Sequence, residues 1–410
     1  MRKPTVIAGA LILASAIGVA LAPFINRAQI ENSDFVNFYV GASIVHRGDA
    51  ANLYQQDTQL ATLRSVLGRD SIQYFLHPPF EAAALTPLAS LSFARAFVVW
   101  TAINVAVLAM LPAVLMPCIP LVARRPYLGL LGFFFLPVLI ELSLGQDSIL
   151  LLFVISLSYL LMHKKMDLTA GLALALASIK FQYLIVLIPL LLMSRKWRVV
   201  AGLILGCAGL AAVSVSVTGW SGFSNYFRFV HAVDVQAGAG APNPALMVNV
   251  RGFLAGTGWA PHSLIYVAAG AVLLLGLAAV CARTAAVTEK NGLVFAVYIA
   301  VALTAAPYAH FPDMTLLLLP VLLAMDRLAD IGIGNIRAGL IVFACASQFL
   351  WPVLLVALGG HYWWNSRIYL VFPGIVFLIV MLTAELRFGK DRRPESVSLP
   401  VLSAPFRLSR

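Results

Sequence analysis

The sequence predicts an all-α polytopic membrane protein: a bundle of about twelve transmembrane or half-spanning helices, with amphipathic helices in a first outer loop. Three observations carry this expectation. Of the 410 residues, 61% are hydrophobic and 11% charged, at a mean hydropathy of +0.91, whereas soluble domains carry about 25% charged residues. The apolar residues fall into runs of spanning or half-spanning length, separated by polar intervals. The basic residues behind the net charge of +11 sit at the ends of those runs. That arrangement orients membrane loops and is not the clustered face of a nucleic-acid binder, so no nucleic-acid partner is expected and the lipid bilayer is. Cys118, Cys207, Cys281 and Cys345 lie in or beside apolar runs without CxxC or Cys/His spacing, so neither a disulfide nor a cysteine metal site is expected.

The elements follow in order. The N-terminus resembles a signal peptide, basic and then apolar, but Thr5–Ala22 is long enough to span and is read as an uncleaved first helix (about 5–23). The interval 24–92 is the first outer loop. In it, residues 35–46 and 53–67 carry apolar residues at helical spacing, for example Leu53, Leu60, Leu63 and Leu67; both are read as amphipathic helices on the membrane face. Segment 2 (93–116) returns to Arg124 and Arg125, segment 3 (127–142) runs out to Gly145–Ser148 (GQDS), and segment 4 (149–162) returns to His163, Lys164 and Lys165.

The next stretch, Asp167–Ser194, has basic clusters at both ends. Both belong on the same side, so it is read as two half-spanning helices, 167–178 and 181–193, turning near Lys180. A lysine at that turn sits at membrane depth and needs a partner or a polar cavity. Segment 7 (199–218) leads to a second outer loop, 219–262; segments 8 (263–282), 9 (292–306), 10 (314–325), 11 (338–357) and 12 (368–386) complete the bundle. The chain is then one integral membrane domain, 1–390, with a cytoplasmic, disordered tail at 391–410. On this topology 19 of the 28 Lys and Arg residues fall inside and 8 outside, Lys180 being the remaining one; both termini are cytoplasmic and the location is the cell inner (plasma) membrane.

Polar groups concentrate at the outer ends. Asp34, Arg64, His77, Glu81, Glu141, Gln146, Asp147, Arg251, His310, Asp313 and His361 would line one cavity if those ends converge. Each also has a plain structural role open to it. Asp34 can cap the helix that follows, His77-Pro78-Pro79 can be a rigid turn, Gln146-Asp147 can start segment 4, Lys180 can snorkel, Arg251 can be solvated and Asp313 can cap segment 10. Tyr362, Trp363 and Trp364 read as an interfacial belt.

A set of motifs in fixed order bears on the choice: DFVNFYVGASIVHRGDAANLY (34–54), HPPFEAAALTPLASL (77–91), Trp100 and Asn104, GQDS (145–148), AGLALALASIKFQY (170–183), RKWR (195–198) and PYAHFPD (307–313). In this the chain resembles glycosyltransferase family 87, over roughly residues 30–330. Departures are His77 for a usual Tyr, Ser148 for a frequent Asn, Tyr183 for a common Pro, and Phe311-Pro312 before Asp313.

The resemblance implies a GT-C-type fold and an inverting hexosyltransferase. The donor would be a polyprenyl-phosphate sugar, mannose by family, and the acceptor a lipid or glycan on the outer face. Asp34 matches the family's catalytic aspartate and would deprotonate the acceptor hydroxyl. The phosphate leaving group needs cations rather than an acid. Arg64, Lys180 and Arg251 are candidates, with His77, Gln146, Asp147, His310 and Asp313 as further substrate-binding groups. No cofactor is expected, and no metal, because the outer acids are not spaced as a DxD pair. Two rival classes are a transporter or flippase of lipid-linked saccharide, which should show repeat symmetry that this chain lacks, and a non-catalytic assembly subunit.

Overall fold

The computed structural model describes residues 30–69, 71–235, 243–258, 291–332, 336–359 and 367–388, with four single positions between 268 and 276. The expected first helix, most of segment 8, His361 with the Tyr362–Trp364 cluster, and the 391–410 tail lie outside the described residues. Among the described residues the chain is all helical without strands, as composition and periodicity predict.

Residues 30–92 build a small layer on one end of the bundle. It contains α1 (Phe35–His46), α2 (Gln56–Leu67) and α3 (Pro79–Leu85). Its core is Phe35, Phe38, Leu53, Tyr54, Leu63 and Phe75, closed by Trp100 and Tyr226 from the bundle. α1 differs from expectation. It is not an amphipathic surface helix, because Phe35, Val36, Phe38, Tyr39, Val40, Ala42 and Ile44 are all buried. Apolar residues all round a helix require burial all round, and α1 obtains it from α2, α3 and the helix start below. Gly41 is what lets the layer close: a β-carbon there would lie 2.7 Å from the Phe75 ring. α2 is the amphipathic helix of the pair, burying Gln59, Thr62 and Leu63.

The bundle proper consists of α4 (Phe93–Leu115), α5 (Pro120–Arg124), α6 (Leu136–Leu144, preceded by a 3-10 segment, Pro126–Phe134), α7 (Ser148–His163), α8 (Asp167–Ala175), α9 (Phe181–Met193), α10 (Trp197–Val235), α11 (Val250–Gly256), α12 (Asn291–Ala305), α13 (Leu318–Ile331), α14 (Ile336–Leu358) and α15 (Phe372–Phe388). By length and apolarity five described helical stretches could cross a membrane, or six if the pair at 126–144, bent by 62°, is one span. Several expected spans are shorter than the roughly 20 residues a lipid-exposed helix needs: α7 has 16 residues, α12 15 and α13 14. Burial explains this. α12 is buried from Leu293 to Ala305 and α13 from Leu318 to Ala324. A helix enclosed by protein need not match the bilayer, and irregular backbone at membrane depth is tolerated where protein surrounds it.

α10 kinks at Gly219, whose φ is 70°. The stretch expected from sequence to be the second outer loop therefore begins as a helix, to Val235. Its Tyr226 and Phe229 pack on Tyr54, with ring centroids 5.2 and 6.1 Å away, which ties this helix to the 30–92 layer.

The stretch 167–193 is long and apolar enough to be one span, yet its contacts fold it back. A β-carbon on Gly171 would lie 2.0 Å from the Val199 carbonyl, and one on Gly202 would lie 2.0 Å from the Leu168 carbonyl. So α8 starts beside the start of α10. A straight rod would separate Gly171 from Met193 by about 33 Å at about 1.5 Å per residue, whereas the six residues from Met193 to Val199 reach at most about 22 Å. The chain must turn between, and it does so at Lys180, where φ −122° and ψ 68° interrupt the helix. Ser158 of α7 bonds the Ala170 carbonyl and Ser194 bonds Tyr298, so both arms of the hairpin end away from the 30–92 layer while its tip points toward it.

Candidate active site

The site is assembled from the hairpin tip, three helix starts and the 30–92 layer. α6 ends at Gly145, in the left-handed conformation (φ 65°) that glycine adopts without strain. A β-carbon at this position would also lie 2.8 Å from Phe35 Cβ. The Gly145 carbonyl accepts from Trp100 Nε1 at 2.8 Å. These restraints aim Gln146, Asp147 and Ser148 at the hairpin tip.

Lys180 lies at the centre. Its Nζ is 2.8 Å from Asp147 Oδ1 and 2.6 Å from Asp313 Oδ1, and it donates to Ser148 Oγ at 2.7 Å and Gln146 Oε1 at 3.4 Å. Ser148 in turn donates to Asp313 Oδ1 (2.7 Å), and Asp313 Oδ2 accepts from the His310 N–H (2.8 Å). Glu141, fully buried, accepts from the Ile149 N–H at the start of α7 (3.2 Å). His77 Nδ1 stands 3.0 Å from Glu81 Oε2 and 3.6 Å from Asp147 Oδ2. The His77 backbone is held by Tyr54, whose hydroxyl donates to its carbonyl at 2.6 Å.

Asp34 occupies the N-cap position of α1, but its side chain makes no capping bond. It accepts instead from Gln146 Nε2 at 2.6 Å. Asp147 likewise precedes α7 without capping it. The capping roles open to these two acids in the sequence are thus not what their carboxylates do. Asp313 does both jobs, bonding the 310 backbone and Lys180.

Burial divides the cluster into a closed floor and an open rim. Glu81, Glu141, Asp147, Ser148, Lys180 and Asp313 are buried, while Asp34, His77, Gln146 and His310 are half-buried. Desolvation raises the Asp34 pKa, opposed by the Gln146 bond and by the charges of Lys180 and His77. Burial alone would lower the His77 imidazole, but Glu81 and Asp147 outweigh it and the net shift is upward. His310 moves the other way: burial holds it below the usual histidine range despite Asp313, so it is neutral near pH 7. A half-buried carboxylate with a raised pKa, fixed by an amide at the edge of a charged cluster, can take a proton from a hydroxyl brought to it.

Of the residues singled out in the sequence, Asp34, His77, Gln146, Asp147, Lys180, His310 and Asp313 come together. Arg251 flanks them. It pairs with Asp234 at 3.0 Å and lies over the Tyr308 ring at 5.2 Å, and its charge acts on His310. Pairing of residues 247–248 with 309–310 places it there. Arg64 lies on the exposed face of α2. Glu81 and Glu141 had no role assigned from sequence, although His77 and Glu81 at i, i+4 across Pro78-Pro79 are a spacing that pairs side chains on a helix. Ser148, read as a departure from a motif, is a direct partner of Lys180.

The fold and site define an all-α membrane protein with a buried, carboxylate-rich side-chain cluster beside the 30–92 layer. Residues 75–320, more than half of the chain, match glycosyltransferase family 87, and the chain belongs to that family. It is a membrane glycosyltransferase. The matched span takes in every member of the cluster except Asp34, which the Gln146 bond joins to it. Comparison with curated proteins gives no match, and neither does comparison with solved structures.

Proposed function

We propose that this glycosyltransferase moves a hexose, mannose in the first instance, from a polyprenyl-phosphate donor to a lipid or glycan acceptor at the outer face of the membrane, in a GT-C-type bundle and with inversion. Asp34 takes the proton of the acceptor hydroxyl as its oxygen attacks the anomeric carbon. The bond from that carbon to the phosphate oxygen breaks, and polyprenyl phosphate leaves. Gln146 orients Asp34; Lys180 and Arg251 supply positive charge toward the phosphate; His77 and His310 border the sugar. The supporting observation is the position of Asp34, freed from capping and held by Gln146 at the open rim beside Lys180.

The test uses the purified chain with labelled polyprenyl-phosphate mannose and a lipid acceptor. Asp34→Asn keeps an oxygen that can accept from Gln146, so the fold should persist while turnover falls by about 10²–10⁴, the contribution of a positioned base. A folded Asp34→Asn enzyme with wild-type turnover removes Asp34 from the mechanism.

A further inference from the structure

The cluster holds more carboxylates than cations. Five carboxylates, Asp34, Glu81, Glu141, Asp147 and Asp313, share one ammonium, Lys180, and that ammonium is already paired with two of them. A buried carboxylate must be paired, protonated or bound to a cation. One corner of the cluster has the geometry to hold a cation. His77 Nδ1, Glu81 Oε2 and Asp147 Oδ2 face one another, and none of the three has a hydrogen-bond partner outside this trio. Glu81 is 5% exposed and Asp147 0%. The histidine nitrogen is 3.0 Å from one oxygen and 3.6 Å from the other, and ligand atoms of all three residues lie within 4.8 Å of one another. Metal–ligand distances of about 2.1 Å put neighbouring ligands roughly 3.0 Å apart in an octahedron and about 3.4 Å apart in a tetrahedron. The observed edges bracket that range.

We propose that His77, Glu81 and Asp147 bind one divalent cation. One imidazole and two carboxylates suit Mn²⁺ or Zn²⁺ better than an all-oxygen ion, and three protein ligands leave positions open for an anionic group. The ligands are well held: Pro78-Pro79 stiffen the turn between His77 and Glu81, Tyr54 fixes the His77 backbone, and Lys180 fixes the second oxygen of Asp147. The cation adds positive charge beside Lys180, where a phosphate leaving group would need it. That last clause rests on the proposed donor; the site itself does not, and it is tested with metal alone.

Full-length protein in detergent, stripped with chelator and desalted, is titrated with Mn²⁺ while free Mn²⁺ is read by electron paramagnetic resonance. One equivalent should bind, Zn²⁺ should displace it, and Glu81→Gln and His77→Ala should each weaken binding by about 10-fold or more. Asp57→Asn, on the exposed part of α2, should leave it unchanged. Echo-modulation spectra of the Mn²⁺-loaded wild type should show coupling to an imidazole nitrogen, a readout that needs no variant to fold. No saturable binding up to millimolar Mn²⁺, binding that folded Glu81→Gln retains in full, or a loaded site without nitrogen coupling overturns the assignment. Metal binding with no sugar transfer leaves the site standing and counts against the proposed reaction.

Discussion

Replacing Lys180 by methionine keeps the shape of the hairpin tip and removes its charge. Asp147 and Asp313 then lose an ammonium at 2.8 and 2.6 Å in surroundings where the two acids are 0% and 4% exposed. Breaking a buried pair by deleting one partner costs about 3–5 kcal/mol, because the partner left behind is an uncompensated charge. The two acids should not suffer equally. Asp313 keeps the Ser148 hydroxyl and the His310 N–H, whereas Asp147 keeps only His77, at 3.6 Å. Neutralising Asp147 in the Lys180→Met background should therefore recover more stability than neutralising Asp313, with a coupling of about 1–3 kcal/mol between 180 and 147. Denaturant unfolding in mixed micelles, followed by tryptophan fluorescence, measures each variant and the cycle. The reasoning fails if Lys180→Met costs less than about 1 kcal/mol, or if the Asp147 and Asp313 cycles are both additive. Either result would mean that Lys180 is solvated on its own and that the acids are neutral.

Three further outcomes follow from the same geometry. Gly145→Ala must hold a β-carbon at φ 65° and 2.8 Å from Phe35; the left-handed conformation alone costs about 1–2 kcal/mol, and melting temperature and turnover should fall together. Trp100→Phe strips the donor from the buried Gly145 carbonyl at a cost of about 1–3 kcal/mol; a Trp100→Phe protein as stable as wild type would mean that another donor or water serves that carbonyl. Burial raises the Asp34 pKa, and Asp34 acts as a base only when ionised. Transfer (kcat/KM) should therefore decline as pH falls through a value above the ordinary aspartate figure of about 3.9, and a profile flat down to that figure contradicts the assignment.

The fold class was legible because it depends on composition and run length, which no tertiary contact can reverse. The hairpin at Lys180 was legible from charge: basic clusters at 163–165 and 195–198 cannot both stay on one side of the membrane if the stretch between them crosses once. What the pattern could not reveal was enclosure. α1 has helical spacing of apolar residues and reads as a surface helix, and only its packing under α2 and α3 shows it buried. α7, α12 and α13 read as spans, the last of them a short one, and their enclosure by protein shows only once they are seen inside the bundle. In the site, the acids could be named but not their roles. Asp34 and Asp147 stand where helix caps stand, and whether a carboxylate turns to its own backbone or to a side chain more than thirty residues away is decided by contacts that no local window contains.

The short central helices and the hairpin answer one physical requirement. A membrane glycosyltransferase must hold charge at a depth where lipid would expel it. Full-length spans would carry their polar ends out to the bilayer surface. Here the start of α7, the turn before α13 and the tip between α8 and α9 meet at the cluster, which side chains of the 30–92 layer join through Asp34 and His77. The backbone groups freed at those ends are partly used within the site: Ile149 N–H on Glu141 and His310 N–H on Asp313. Each acid held this way is fixed before substrate arrives, which spares the reaction the cost of reorganising dipoles around a developing charge. Asp34 has no such backbone donor and is held by the Gln146 amide. A carboxylate tethered through one amide keeps its second oxygen for a substrate, which is what the base role proposed for Asp34 requires.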